Sequence, residues 1–182
     1  MARVPYMNRE TLAEADIPLW DELAGERGRL PLVTQILMYH PSLAAMAEHI
    51  NRAVRFDLSL PRSSVELVIL TVSRETNCVR EWGIHLPQAR NAGVREEAIE
   101  SVRDKITPKG LTGEEAEVVT YAQEILRTNR VSDKTFEANK RRLGDAGVVD
   151  LTALVGVYSM LATVMNAFEV EAPEDPALQL PM

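Results

Sequence analysis

At 182 residues, 46% of them hydrophobic, the chain is long enough to enclose one substantial core and is neither disordered nor collagen-like. Its formal net charge of −7, with no basic stripe to offset it, argues against nucleic acid or an acidic membrane surface as partner. The single cysteine excludes an intramolecular disulfide, and with three scattered histidines it makes no familiar zinc site, so neither metal nor cofactor is expected.

In chain order the pattern is helical almost throughout. Residues 8–25 carry Leu12, Ala15, Trp20 and Leu23 in a weak helical pattern broken by Pro18, which predicts a short helix plus an arm. No signal peptide is read there, since Glu10, Glu14, Asp16 and Asp21 interrupt any apolar run. From Leu32 to Tyr39 the chain is apolar; Pro41 ends that segment and Ser42 is expected to cap a helix carrying Leu43, Met46, Ala47, Ile50 and Val54. After Leu60-Pro61, Ser63 or Ser64 is expected to cap a helix with Val65, Leu67, Val68, Ile69, Leu70 and Val72. A helix so apolar belongs at the centre, which makes Glu66 within it conspicuous.

Thr76-Asn77 forms the next break. Asn77 reads as an N-cap, which would place Cys78 in the first turn of a helix running to about Ala92 and closed by Gly93. A short helix begins at Val94–Ile99, and another at Thr112-Gly113-Glu114-Glu115 with Ala116, Val119, Ala122, Ile125 and Leu126 on its apolar face. Ser132 caps a helix that Gly144 or Gly147 ends. A final helix, Asp150 to about Phe168, carries Leu151, Leu154, Val155, Tyr158, Leu161, Ala162 and Met165. Its Gly156, Ser159, Ala162 and Thr163 are small enough for close helix packing, and Thr, Ser, Asn and Gly interrupt it too often for a membrane span. The tail, with three prolines after Glu169, reads as a surface strap or a disordered segment. No convincing strand pattern or fixed-period repeat is present, so the fold class is all-α.

Within this frame Cys78, Glu81, Trp82 and His85 stand at i, i+3, i+4 and i+7, a single helix face. A face that ought to hold Leu, Ile or Val against the core instead holds a thiol, a carboxylate, an indole and an imidazole. Ionisable groups facing inward cost free energy unless paired or used. Glu81 and His85, at i and i+4, are close enough for a hydrogen bond and for general acid–base chemistry, with Glu66 from the preceding helix orienting His85 or sharing its proton. Trp82 reads as a pocket wall. The plainer alternatives are that Glu66 pairs with Arg74 or Arg80, that Cys78 is a small buried hydrophobe, and that His85 is a satisfied core histidine. His40 and His49 have no motif around them and read as structural or surface residues. Tyr158 and Asn166 are the residues of the last helix that would face a pocket, with nothing in the sequence to decide it.

The spacing Glu66-x11-Cys78-x2-Glu81-x3-His85 resembles the carboxymuconolactone decarboxylase and alkylhydroperoxidase AhpD superfamily. The AhpD-type signature is Glu-x11-Cys-x2-Cys-x3-His; Glu66, Cys78 and His85 match it, while Glu81 replaces the second cysteine. The decarboxylase side often shows a Glu-Trp pair before the histidine, as Glu81-Trp82 does here. The flanking LPRSSVELVILTVSRETN and HLPQARNAGVREEAI support the match, which extends loosely over residues 40–170.

The resemblance implies an AhpD-like bundle of about seven to nine helices that assembles as a homo-oligomer, a trimer or hexamer. It divides the chain into an N-terminal arm with helices (1–40), the helical domain (41–170) and a C-terminal tail (171–182). It also implies a small-molecule substrate, with Glu66, Cys78, Glu81 and His85 as the catalytic set and Trp82 against the substrate. A dithiol peroxidase cycle cannot close with one cysteine, although Cys78 in a first helical turn would have a lowered thiol pKa and could work with an external thiol. The expected activity is therefore decarboxylase-like acid–base chemistry on a small carboxylated lactone or related acid. The rivals are a thiol-dependent peroxidase or redox protein and a non-catalytic ligand-binding member of the fold. A cytoplasmic location is expected.

Overall fold

A computed structural model describes residues 2–181. Among them are eight α-helices and no strand: α1 Ile17–Ala24, α2 Leu32–Leu37, α3 Pro41–Phe56, α4 Arg62–Glu75, α5 Val79–Asn91, α6 Glu96–Arg103, α7 Gly113–Thr128 and α8 Asp133–Ala167. The all-α class expected from the sequence is what forms.

The run Val65 to Ser73 in α4 is buried without interruption, so this helix is the axis against which α5, α6, α7 and α8 pack. A helix buried all round must satisfy its polar side chains internally. Thr71 Oγ1 donates to the Leu67 carbonyl and Ser73 Oγ to that of Ile69, both at 2.8 Å. Only Glu66 needs partners from side chains. A second, smaller core of Trp20, Ala24, Leu30 and Met38 ties α1 and α2 to Ala44 of α3.

Several caps differ from the sequence reading. Pro61, not Ser63 or Ser64, stands at the N-cap of α4, and His40, not Ser42, at that of α3. In α3 Pro41 takes the first helical position, where its missing N–H costs nothing and its fixed φ suits the helix. Thr112 and Ser132 do cap α7 and α8; Thr112 and Glu115 close a reciprocal capping box. The last helix begins well before Asp150. Within Asp133–Ala167 the backbone is non-helical at Gly144, with φ 72° and ψ 178°, so one helical stretch ends there as expected and the next begins before Asp150. This helix is long and apolar enough to cross a membrane by length and composition, and half of its most apolar window is buried inside the bundle.

The tail is a strap. Val170 and Leu180 are buried, and Pro176–Leu178 forms a single 3-10 turn lying against α5. Arg74 donates to the Pro181 carbonyl at 2.9 Å and Arg80 to that of Glu171 at 3.3 Å, so both arginines hold the strap and neither pairs with Glu66. Gly83 permits the close approach: a Cβ there would lie 2.8 Å from Pro173 Cδ and 3.0 Å from the Leu178 carbonyl oxygen.

Candidate active site

The turn between α4 and α5 sets the site. Asn77 does not cap α5; it ends α4 in the left-handed region at φ 50°. The Asn77 N–H bonds the Arg74 carbonyl at 3.3 Å and the Cys78 N–H bonds that of Ser73 at 2.8 Å, which is the paired pattern of a Schellman motif. Asparagine tolerates this conformation better than most residues other than glycine, so it serves the end of one helix, not the start of the next. Cys78 therefore takes the N-cap position, one residue short of the first turn.

From there α5 carries Glu81, Trp82 and His85 inward, and all are buried, as are Cys78 and Glu66. His85 Nδ1 lies 2.7 Å from Glu66 Oε2. Its Nε2 lies 3.4 Å from Glu81 Oε1 and 3.5 Å from the Tyr158 hydroxyl. The Tyr158 and His85 rings meet edge to face, centroids 5.2 Å apart at 88°. The other oxygen of Glu66 pairs at 2.5 Å with Arg62, one turn earlier on α4. The imidazole is thus gripped tightly on Nδ1 and loosely on Nε2.

Electrostatics follow from this geometry. Burial by itself disfavours a charged imidazole, but the hydrogen bonds and negative charges of Glu66 and Glu81 outweigh it, and His85 titrates above the ordinary histidine value. Burial raises the Tyr158 hydroxyl well above the usual tyrosine range, so it stays protonated as a donor. Burial, with the Glu81 charge adding to it, pushes the Cys78 thiol up to about 12, against the pull of the Glu81 and Arg80 backbone amides. The lowered thiol pKa expected for a first-turn cysteine is reversed, because the sulfur is sealed from water.

The structure brings Glu66, Glu81 and His85 together. Cys78 lies at the foot of the same helix, buried and without a disulfide. Trp82 lines a cleft of about 480 Å³ between α5, α6 and the strap, with Leu86 and Ile99, and its indole N–H finds no hydrogen-bond partner. Arg62 was not foreseen, and Tyr158 was named only as a residue that would face a pocket. Arg62 carries a legible signal, standing four residues before Glu66 on one helix face. Nothing in the sequence joined Tyr158 to His85, because only the packing of α8 on α4 delivers its hydroxyl there. Asn166 turns away and donates to the Thr76 carbonyl at 2.8 Å. Among the described residues no group of three His, Cys, Asp or Glu side chains has the arrangement of a metal site.

Comparison with known proteins agrees with the motif. The carboxymuconolactone decarboxylase family matches residues 41–124, a span that holds Glu66, Cys78, Glu81, Trp82 and His85. That match, over somewhat less than half of the chain, supports the resemblance to the carboxymuconolactone decarboxylase and AhpD-like superfamily. Its fold is similar to the AhpD core of an uncharacterized peroxidase-related protein from Ralstonia eutropha JMP134 (TM-score 0.79, 15% identity, 95% of this chain and 93% of that one). An uncharacterized peroxidase-related protein from Silicibacter sp. TM1040 is similar at TM-score 0.76 and 14% identity, covering 98% and 94% of the two chains. The debrominase Bmp8 is similar at TM-score 0.74 and 14% identity, covering 98% and 96%. No curated protein sequence matches significantly. The superfamily includes enzymes of more than one chemistry, so the reaction has to be argued from the side chains present.

Proposed function

We propose that the protein is a cofactor-independent, decarboxylase-like enzyme that uses His85 as general acid–base on a small carboxylated lactone or related organic acid. The observation that carries this reading is the unequal grip on the imidazole. Nδ1 is committed to Glu66 at 2.7 Å, whereas Nε2 has only long contacts to Glu81 and Tyr158. A short bond from Nε2 to a reacting atom is still to be made, and the ring is already oriented for it.

Loss of carbon dioxide from a carboxylated lactone leaves an electron pair on a conjugated enolate. The buried Tyr158 hydroxyl is placed to donate to the enolate oxygen, and imidazolium Nε2–H to protonate the carbon. The neutral ring then takes its next proton from solvent, and the Glu81 carboxylate beside Nε2 favours that recharging. Cys78 contributes a neutral, apolar wall; a thiol titrating at about 12 is a poor peroxide nucleophile near neutral pH, which disfavours the peroxidase alternative.

The enzyme is proposed to act on a small molecule in the cytoplasm, as a trimer or hexamer. Supporting assembly, Leu43, Met46 and Ile50 leave one face of α3 apolar and exposed, and Val149 and Met160 do the same on α8. Light scattering that gives a strict monomer at micromolar concentration would count against assembly. The activity is tested by carbon dioxide release from 4-carboxymuconolactone by wild type, His85→Ala and Glu81→Gln. Turnover lost in both variants, with helicity retained, supports the assignment; turnover unchanged in both sinks it.

A further inference from the structure

A second cleft, of about 580 Å³, lies between α1 with its following turn and α3. Arg27, Arg52 and Arg55 line it, offset by Glu22, Glu48 and Asp57. Two polar atoms on its wall are sealed from water and have no hydrogen-bond partner: Asn51 Oδ1 and Arg55 Nε. A buried donor and a buried acceptor, both unanswered and one helical turn apart on α3, are costly to leave so.

Arg55 is the more informative of the two. Its guanidinium is held in place through one Nη by Gln88 Oε1, and Gln88 stands three residues beyond His85 on α5. It stacks over Phe56 at 4.9 Å, with Arg62 over the same ring at 5.0 Å. Arg62 is matched by the Glu66 carboxylate; Arg55, among the described residues, has no carboxylate at ion-pair distance. Its charge nevertheless reaches the catalytic cluster, since it is the largest charge acting on Tyr158. A guanidinium oriented by Gln88 and Phe56, lining a cleft and with its charge reaching Tyr158, is the usual equipment for fixing a carboxylate.

We propose that Arg55 is the carboxylate anchor of this enzyme and that the α1–α3 cleft admits a small organic carboxylate, its charged end on Arg55. Asn51 Oδ1 accepts from a hydroxyl of the same ligand where one is present. This deepens the acid–base reading and rests on it for the role of His85, but it makes a binding claim of its own.

The test is therefore a binding measurement. Benzoate and its neutral isostere benzamide are titrated into wild type, Arg55→Gln and Arg55→Lys, following the His85 imidazole signals by NMR. Benzoate is expected to shift those signals saturably in wild type. Arg55→Gln is expected to weaken its binding about tenfold or more, with Arg55→Lys in between, and benzamide to be indifferent to both substitutions. Circular dichroism checks the fold; if Arg55→Gln fails to fold, Arg55→Lys carries the comparison. Equal benzoate affinity in wild type and the variants overturns the proposal. So does benzoate binding that leaves His85 unmoved, and so does absence of saturable binding to wild type. A failure of the decarboxylase assay with this titration intact would sink the reaction assignment and leave the anchor standing.

Discussion

Glu66→Gln isolates the charge that holds His85. The substitution keeps the size of the side chain and an oxygen able to accept from Nδ1–H, so the ring keeps its orientation and only the negative charge is lost. Arg62, which also loses its partner, is about a third exposed and can turn to water at small cost. A hydrogen bond to a charged group contributes about 1.5–3 kcal/mol. At about 1.4 kcal/mol per unit, removing that preference for the imidazolium lowers the His85 pKa by roughly 1–2 units.

The assay is an NMR pH titration of the imidazole C–H signals, with His85 assigned by its absence in His85→Ala. Stability gives a second reading of the same charge. Because His85 titrates above its unfolded value, the stability its charge brings is fully present below about pH 6.5 and is lost as pH rises through the folded-state value. The gap in urea stability between wild type and Glu66→Gln should accordingly be widest in mild acid and shrink as the pH rises through that window. A His85 pKa that stays put or rises in the variant would refute the argument that Glu66 sustains the imidazolium.

Three further outcomes are expected. With its thiol pushed up to about 12, Cys78 is ionised at pH 8 only to the order of 10⁻⁴. Iodoacetamide should label it slowly in the native protein and rapidly in denaturant, and fast native labelling would reopen the thiol chemistry. Tyr158→Phe keeps the edge-to-face ring contact and removes only the donor, so turnover should fall about 10²-fold with little change in melting temperature; full activity would exclude the hydroxyl from the reaction. Gly83→Ala forces a methyl against Pro173 and the Leu178 carbonyl, which should cost about 1–3 kcal/mol and expose the tail to limited proteolysis. An unchanged melting temperature and protease pattern would show that the strap is not packed as described.

Which parts of this molecule could be read from the chain depends on how local their causes are. The helices over 62–91 were legible because their apolar periodicity is unbroken, and the Glu81–His85 pair because i and i+4 meet on any helix. The cap of α5 was misread for an equally local reason. Asparagine suits both an N-cap and a left-handed helix end, and only the hydrogen bonds of Asn77 and Cys78 back to Arg74 and Ser73 decide between them. The break at Gly144 was legible, since φ 72° with ψ 178° is a glycine conformation; the start of the next stretch before Asp150 was not, because it depends on Val148 finding the core. That Tyr158 meets His85 and that Arg55 meets Gln88 lay beyond reach because both contacts are made by tertiary packing, across 73 residues in the first case and 33 in the second.

One residue's displacement has chemical weight. The turn that ends α4 keeps Cys78 just outside α5, and the close packing of α4 and α5 takes its sulfur out of water. A helix start that would otherwise activate a thiol is here overridden by burial and by the Glu81 carboxylate three residues on. That same carboxylate, standing where a peroxidase of this superfamily would need its second thiol, helps hold a proton on His85. The exchange of sulfur for carboxylate therefore moves the site in one direction twice over: it silences the nucleophile and charges the acid. Glu81→Cys would undo both effects together, by restoring a thiol pair in the Cys-x2-Cys spacing and removing a charge from beside Nε2. The expected result is a lower His85 pKa, faster labelling of Cys78 and loss of acid–base turnover in the one variant. If His85 kept its pKa while Cys78 became reactive, the two effects would be separable and Glu81 would not be their common cause.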